Sequence, residues 1–159
     1  DLPPAELVRQ ISLEKAQAVA AQADPNTVVI AADTVVALDG VVLGKPADKE
    51  EAFRMLSLLS GNRHQVYTGL TVLRGEQVFS QWEETAVTFR SLTAEEIEAY
   101  IATGEPMDKA GAYGIQGYGA LFIEGISGDY YNVMGLPVCR LGQILGQLGM
   151  DCMALAAAR

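Results

Sequence analysis

Histidine and cysteine, which supply many catalytic and metal sites, are nearly absent. The 159 residues hold one histidine, His64, and two cysteines, Cys139 and Cys152. His64 opens a strand after a turn and is assigned a structural role. That leaves no imidazole for a Ser-His-Asp triad and excludes a multi-histidine metal site. The cysteines lack metal-type spacing and imply no disulfide framework, so two reduced thiols of a cytoplasmic protein are expected. No apolar run approaches the ~20 residues of a membrane helix, and no signal peptide is visible. Bases are scarce too. Eleven Lys and Arg face twenty Asp and Glu, a formal net charge of −9. Such a chain lacks the positive field that non-specific nucleic-acid binding needs, although a locally basic pocket stays open. An initiator methionine is also missing before Asp1, so a lost N-terminal piece is expected.

What is present suits a packed α/β domain. Half of the residues are apolar and 19% are charged, which excludes disorder over the whole chain and provides a sizeable core. A helix is predicted over 5–22, with Val8, Ile11 and Val19 along its apolar face. The apolar run 28–32 predicts a strand buried on both faces. Asp39-Gly40 predicts a hairpin between 35–38 and 41–43. Capping boxes at Asp48/Glu51 and Thr93/Glu96 open two further helices. Long strands are expected at 66–73 and 78–89, a strand at 120–126 and a helix at 136–148. One domain over 1–150 with a tail at 151–159 is expected. The interleaved elements predict α/β with a mixed sheet, since the hairpins exclude a purely parallel one.

Four features suggest chemistry. Asp33 follows the apolar strand run, where open α/β sheets place ligands. Its carboxylate suits a divalent cation or general-base work, or else a turn cap. Lys15 lies four residues from Ile11 and from Val19, on the helix face expected to be buried, and must snorkel or meet an anion. Lys45, between Gly44 and Pro46, is either a fixed charge for phosphate or an ordinary solvated lysine. Gly111, Gly114 and Gly117 bracket Gln116, whose amide can both donate to and accept from a base edge. Their spacing is neither a P-loop nor a Rossmann fingerprint, and a purely structural glycine crossover is the alternative.

Together these segments resemble the Maf family of nucleoside triphosphate pyrophosphatases, also known as septum formation proteins. The resemblance runs through Leu13-Glu14-Lys15-Ala16, Ala32-Asp33-Thr34-Val35-Val36 and Leu43-Gly44-Lys45-Pro46. It continues through Val87-Thr88-Phe89-Arg90, the stretch from Ala99 to Gly117, Asn132-Val133 and Gly135-Leu136-Pro137. It implies an inosine-triphosphatase-like fold, a mixed twisted sheet with flanking helices and two lobes around a deep cleft. The implied reaction releases a monophosphate and pyrophosphate from a nucleoside triphosphate. By resemblance, Asp33 is the proton acceptor and a ligand of a divalent cation, magnesium or manganese. Lys15 and Lys45 line the triphosphate site, and Thr34 and Gln116 mark the branch preferring dTTP and UTP. A homodimer is the family-level expectation. The family's opening strand and Ser-x-Ser-Pro-Arg-Arg loop do not occur within 1–159. A protein lacking them is expected to turn over weakly and to expose an aggregation-prone sheet edge. The competing reading is a catalytically inactive nucleotide-binding or cell-division regulatory module.

Overall fold

The computed structural model describes all 159 residues. Its elements are α1 (Pro4–Ala20), β1 (Val29–Leu38), β2 (Val41–Leu43), α2 (Lys49–Leu59), β3 (Arg63–Arg74) and β4 (Gln77–Phe89). There follow α3 (Ala94–Ala102), β5 (Ile123–Ser127), α4 (Tyr130–Met134), α5 (Val138–Gln147) and α6 (Cys152–Ala157). Short 3₁₀ turns at Glu105–Asp108, Ala110–Ala112 and Tyr118–Phe122 carry the chain between α3 and β5. The sheet order is β2-β1-β3-β4-β5. The expected α/β class is borne out, but the sheet is not mixed: all four ladders are antiparallel. The reason is local. Tight hairpins join β1 to β2 and β3 to β4, and the α2 connection returns β3 beside β1 in the opposite direction.

Side-chain alternation sorts the sheet into two faces. Asp33 stands opposite Gly69, and Ala31 opposite Thr71, on the face covered by α1. The Ser12 and Thr71 hydroxyls share a hydrogen bond of 2.8 Å across that interface. Thr34 stands opposite Thr68, and Val36 opposite Val66, on the other face. There α2, α3 and the turns after α3 close the main core around Leu56, Leu59, Val87, Phe89 and Tyr113. Next to it, α5 packs Ile144, Leu145 and Leu148 on Leu70 and Val72.

The buried stripe of α1 is Val8, Ser12 and Ala16, not the predicted Val8, Ile11 and Val19. Val19 is 58% exposed. A β-carbon at Gly69 would collide with the Val8 carbonyl, so the helix backbone drops directly onto β3. Only small side chains fit beneath it, and bulk moves to the flanks. The strand predicted at 28–32 is half of one ten-residue strand, which the hairpin strand 35–38 continues. It is not buried on both faces, since Ile30 is 45% exposed. β2 pairs with Val36–Leu38 at the end of β1.

The two helix starts behave differently in detail. Thr93 and Glu96 close a full capping box. Asp48 accepts from the Glu51 amide, but Glu51 reaches back one residue further, to the Ala47 amide. The strand predicted at 120–126 is a 3₁₀ turn followed by β5, and the helix predicted at 136–148 starts after Pro137. Cys139 and Cys152 are both free thiols. No helix is long and apolar enough to cross a membrane.

Candidate active site

A cavity of about 530 Å³ opens on the sheet face away from α1. Its floor is Thr34 and Val36 from β1 with Val66 from β3. Lys45 enters from the turn after β2, and Val133, Met134 and Gly135 form the wall at the end of α4. The glycine-rich segment provides the remaining side through Glu105, Lys109, Tyr113 and Gln116. A hydrogen bond of 3.1 Å from the Gly111 amide to the Gly44 carbonyl fastens this segment to the Lys45 turn. Three of the five sequence-predicted residues, Thr34, Lys45 and Gln116, therefore share one cavity.

Lys15 and Asp33 lie elsewhere. The Lys15 ammonium donates to Asp33 Oδ1 at 2.8 Å and to the Ala32 carbonyl at 3.3 Å. The pair sits on the α1 face, with the Lys15 side chain 51% exposed and that of Asp33 21% exposed. The face expected to bury Lys15 is thus largely open to solvent, and the lysine finds its anion at the rim. Asp33 is not at a strand end either. It stands mid-strand, one residue from Thr34 and on the opposite face.

The glycine-rich segment is held by a carboxylate that the sequence did not single out. Glu105 accepts from the Tyr118 amide at 2.9 Å, from the Gly119 amide at 3.0 Å and from the Tyr100 hydroxyl. Tyr100 in turn accepts from the Gly114 amide at 3.0 Å. Burial alone would raise the Glu105 pKa, but the Tyr100 hydroxyl and the two amides outweigh it and hold the carboxyl below its ordinary value. Burial, then the Glu105 contact, push the Tyr100 phenol up. A β-carbon at Gly117 would overlap Glu105, so this glycine is needed for the close approach. The signal available in the sequence was the run of glycines itself, which lets a loop wrap around a single acidic side chain.

Lys109 is the second cation of the cavity and was also missed. Its ammonium donates to Asp108 Oδ1 at 2.9 Å, and the Asp108 side chain is 81% exposed. That partner offers little resistance to an incoming anion, because water screens an exposed pair. The arginine of Val87-Thr88-Phe89-Arg90 faces away from this chemistry. Arg90 makes a two-pronged contact with Glu96 and donates to the Leu121 carbonyl, tying α3 to the turn before β5. Arg90, followed by the Thr93 amide, pulls the Glu96 carboxyl down to about 2.

His64 is fully buried behind the cavity. Its Nε2 shares a 2.6 Å hydrogen bond with the Tyr113 hydroxyl, and its ring packs edge-on against Phe89 and Tyr113. Burial lowers its pKa to about 4. The ring is neutral at pH 7 and props Tyr113 into the cavity wall, as a structural histidine would.

The model of the Maf-like protein family matches residues 1–148. The chain belongs to the Maf-like family. A dTTP/UTP pyrophosphatase of Symbiobacterium thermophilum is 56% identical over 146 residues, 92% of this chain and 75% of the relative. Proteins of the same name from Bacillus cytotoxicus and Bacillus pumilus are 52% and 51% identical. They match 91% and 94% of this chain, over 75% and 79% of their own lengths. This chain thus brings together a basic cavity on one face of the sheet and a lysine-held carboxylate on the other.

A divalent cation fits this donor set in a limited way. No group of three His, Cys, Asp or Glu residues comes together in the chain. Magnesium keeps waters and phosphate oxygens in its shell and needs only one or two carboxylates. Asp33 engages Lys15 through Oδ1 alone, so a cation carried in by phosphates is compatible with Oδ2.

Proposed function

We propose that this Maf-like chain hydrolyses dTTP and UTP at the anhydride between the α and β phosphates, giving the monophosphate and pyrophosphate. The observation that carries the reading is the identity of about half of all residues, over more than nine-tenths of this chain, with relatives bearing that name. The site chemistry agrees with it. Lys45 and Lys109 give an otherwise acidic protein a local positive field for a polyanion. Thr34 and Gln116 supply hydrogen-bonding groups for a base in the same cavity.

In this reading the base lies in the cavity and the triphosphate extends toward Asp33. Lys15 fixes the carboxylate through its 2.8 Å contact with Oδ1. Asp33 orients a water and takes its proton as the oxygen attacks phosphorus, and the bridging oxygen leaves with pyrophosphate. Magnesium or manganese, when bound, neutralises phosphate charge, and Asp33 is the residue that would hold it.

Incubation of the purified protein with dTTP, UTP and ATP, with product analysis by anion-exchange chromatography, tests the reading. Equimolar monophosphate and pyrophosphate are expected from dTTP and UTP, with loss of turnover in EDTA. Release of orthophosphate and a diphosphate contradicts the assigned bond. Tight nucleotide binding with no product at all favours a regulatory module.

A further inference from the structure

The five methionines of the chain occupy very different surroundings. Met55 is 3% exposed, inside the main core. Met107 and Met150 are half-buried against the two apolar clusters. Met153 is 79% exposed on α6, and Met134 is 42% exposed at the end of α4. Of the five, Met134 alone lines the cavity. Both cysteines are exposed as well, but neither lines it. An exposed thioether is open to oxidants, whereas a buried one is shielded. Met134 is thus the one oxidisable sulfur that solvent and the candidate site share.

The wall that carries it is held from both sides. Asn132 is fully buried, and its Nδ2 lies 3.1–3.3 Å from the Val66 carbonyl, the Glu83 carbonyl and Thr85 Oγ1. Thr68 donates to the Asn132 carbonyl at 3.1 Å, and Thr85 to the Asp129 carbonyl at 2.8 Å. Gly135 follows Met134 at φ +114°, and its amide donates back to the Asn132 carbonyl at 3.0 Å. The backbone at Met134 is therefore tied to β3 and β4 and cannot swing a new polar group away. With Val36, Val66 and Val133, Met134 forms the apolar side of the cavity. A sulfoxide there replaces a soft apolar surface with a strong, fixed acceptor that no wall residue on that side can satisfy.

We propose that Met134 is a site of reversible oxidation, at which a peroxide weakens nucleotide binding. The peroxide transfers one oxygen atom to the sulfur. The S–O bond forms as the O–O bond breaks, the sulfur is oxidised by two electrons, and hydrogen peroxide leaves as water. A methionine sulfoxide reductase returns the thioether. The proposal rests on the pyrophosphatase reading, since the ligand that loses contact is the nucleotide, and adds regulation of the same cavity. Asp33 lies on the other face of the sheet, so the effect falls on affinity rather than on the chemical step.

Treatment of the whole chain with hydrogen peroxide, then with dithiothreitol to reverse disulfides and sulfenic acids of Cys139 and Cys152, tests the proposal. Peptide mass mapping reads which methionines gain an oxygen. Calorimetry reads the affinity for the α,β-methylene analogue of UTP, and turnover of saturating UTP reads kcat. Oxygen is expected on Met134 and Met153 but not on Met55. Analogue affinity is expected to fall ~10-fold, the effect of leaving one polar group unpaired against the ligand, with kcat within a fewfold. Methionine sulfoxide reductase is expected to restore the affinity that dithiothreitol does not. Met134→Leu is expected to keep its own untreated affinity through the same treatment, whereas Met153→Leu loses affinity as the wild type does. A Met134 that stays unoxidised while Met153 is fully oxidised overturns the proposal. So does undiminished affinity with Met134 oxidised, or an equal loss in Met134→Leu. Each of these leaves the pyrophosphatase reading intact. Untreated protein that binds no analogue contradicts that reading, and the proposal falls with it.

Discussion

A buried histidine makes acid a specific threat to this fold. The His64 pKa drops from 6.5 to about 4 because burial disfavours the charged ring. The unfolded chain therefore binds a proton below pH 6.5 that the native chain refuses until pH ~4. Stability contributed by His64 is complete above pH 6.5 and is lost as pH falls through that window. The loss amounts to roughly 3 kcal/mol if the whole shift is expressed. Urea unfolding of the wild type and His64→Gln between pH 7 and pH 4 checks this. The wild type is expected to lose stability more steeply, and parallel curves would contradict the assignment. The role of His64 was legible because a lone imidazole at a strand start has no catalytic partner in the sequence. Its contact with Tyr113, 49 residues away, was not.

At the level of elements, patterns carried entirely within a segment were the legible ones. The Thr93 box, the Asp39-Gly40 hairpin and the ends of α2 depend on neighbours a few residues apart. The apolar face of α1 was not legible, because the absence of a side chain at Gly69, on another strand, decides which face is buried. The glycine-rich segment failed for a similar reason. Its glycines were visible, but the carboxylate they surround was not. Glu105→Ala is expected to orphan the Tyr118 and Gly119 amides and the Tyr100 hydroxyl, lowering stability by about 2–3 kcal/mol. The wall that carries Gln116 and Lys109 loosens with it. Chemical denaturation and UTP-analogue affinity measure the two effects, and both are expected to fall. Native stability in this variant would show that the glycine crossover is self-supporting.

On the scale of the molecule, the site straddles a sheet rather than filling one pocket. Thr34, Lys45 and Gln116 face one side, and Lys15 and Asp33 the other. Consecutive residues of one strand point in opposite directions, so Asp33 and Thr34 project from opposite faces of β1. The candidate residues were legible as a set through motif spacing. Their division between faces was not, because the apolar run from Val28 to Ala32 suggested a strand ending at Asp33. The α/β class followed from interleaved elements, whereas the all-antiparallel pairing depended on how the α2 connection returns. Three of the eleven bases serve the candidate site, Lys45 and Lys109 at the cavity and Lys15 on Asp33.

The most direct measurement is pyrophosphate release from dTTP with magnesium, comparing the wild type with Asp33→Asn, together with the dTTP-analogue dissociation constant of each. The account predicts a 10²–10⁴-fold lower kcat in the variant, the range for loss of a general base. Analogue affinity should change little, because the base and the lysines of the cavity are untouched. Turnover of Asp33→Asn within a fewfold of the wild type would contradict it.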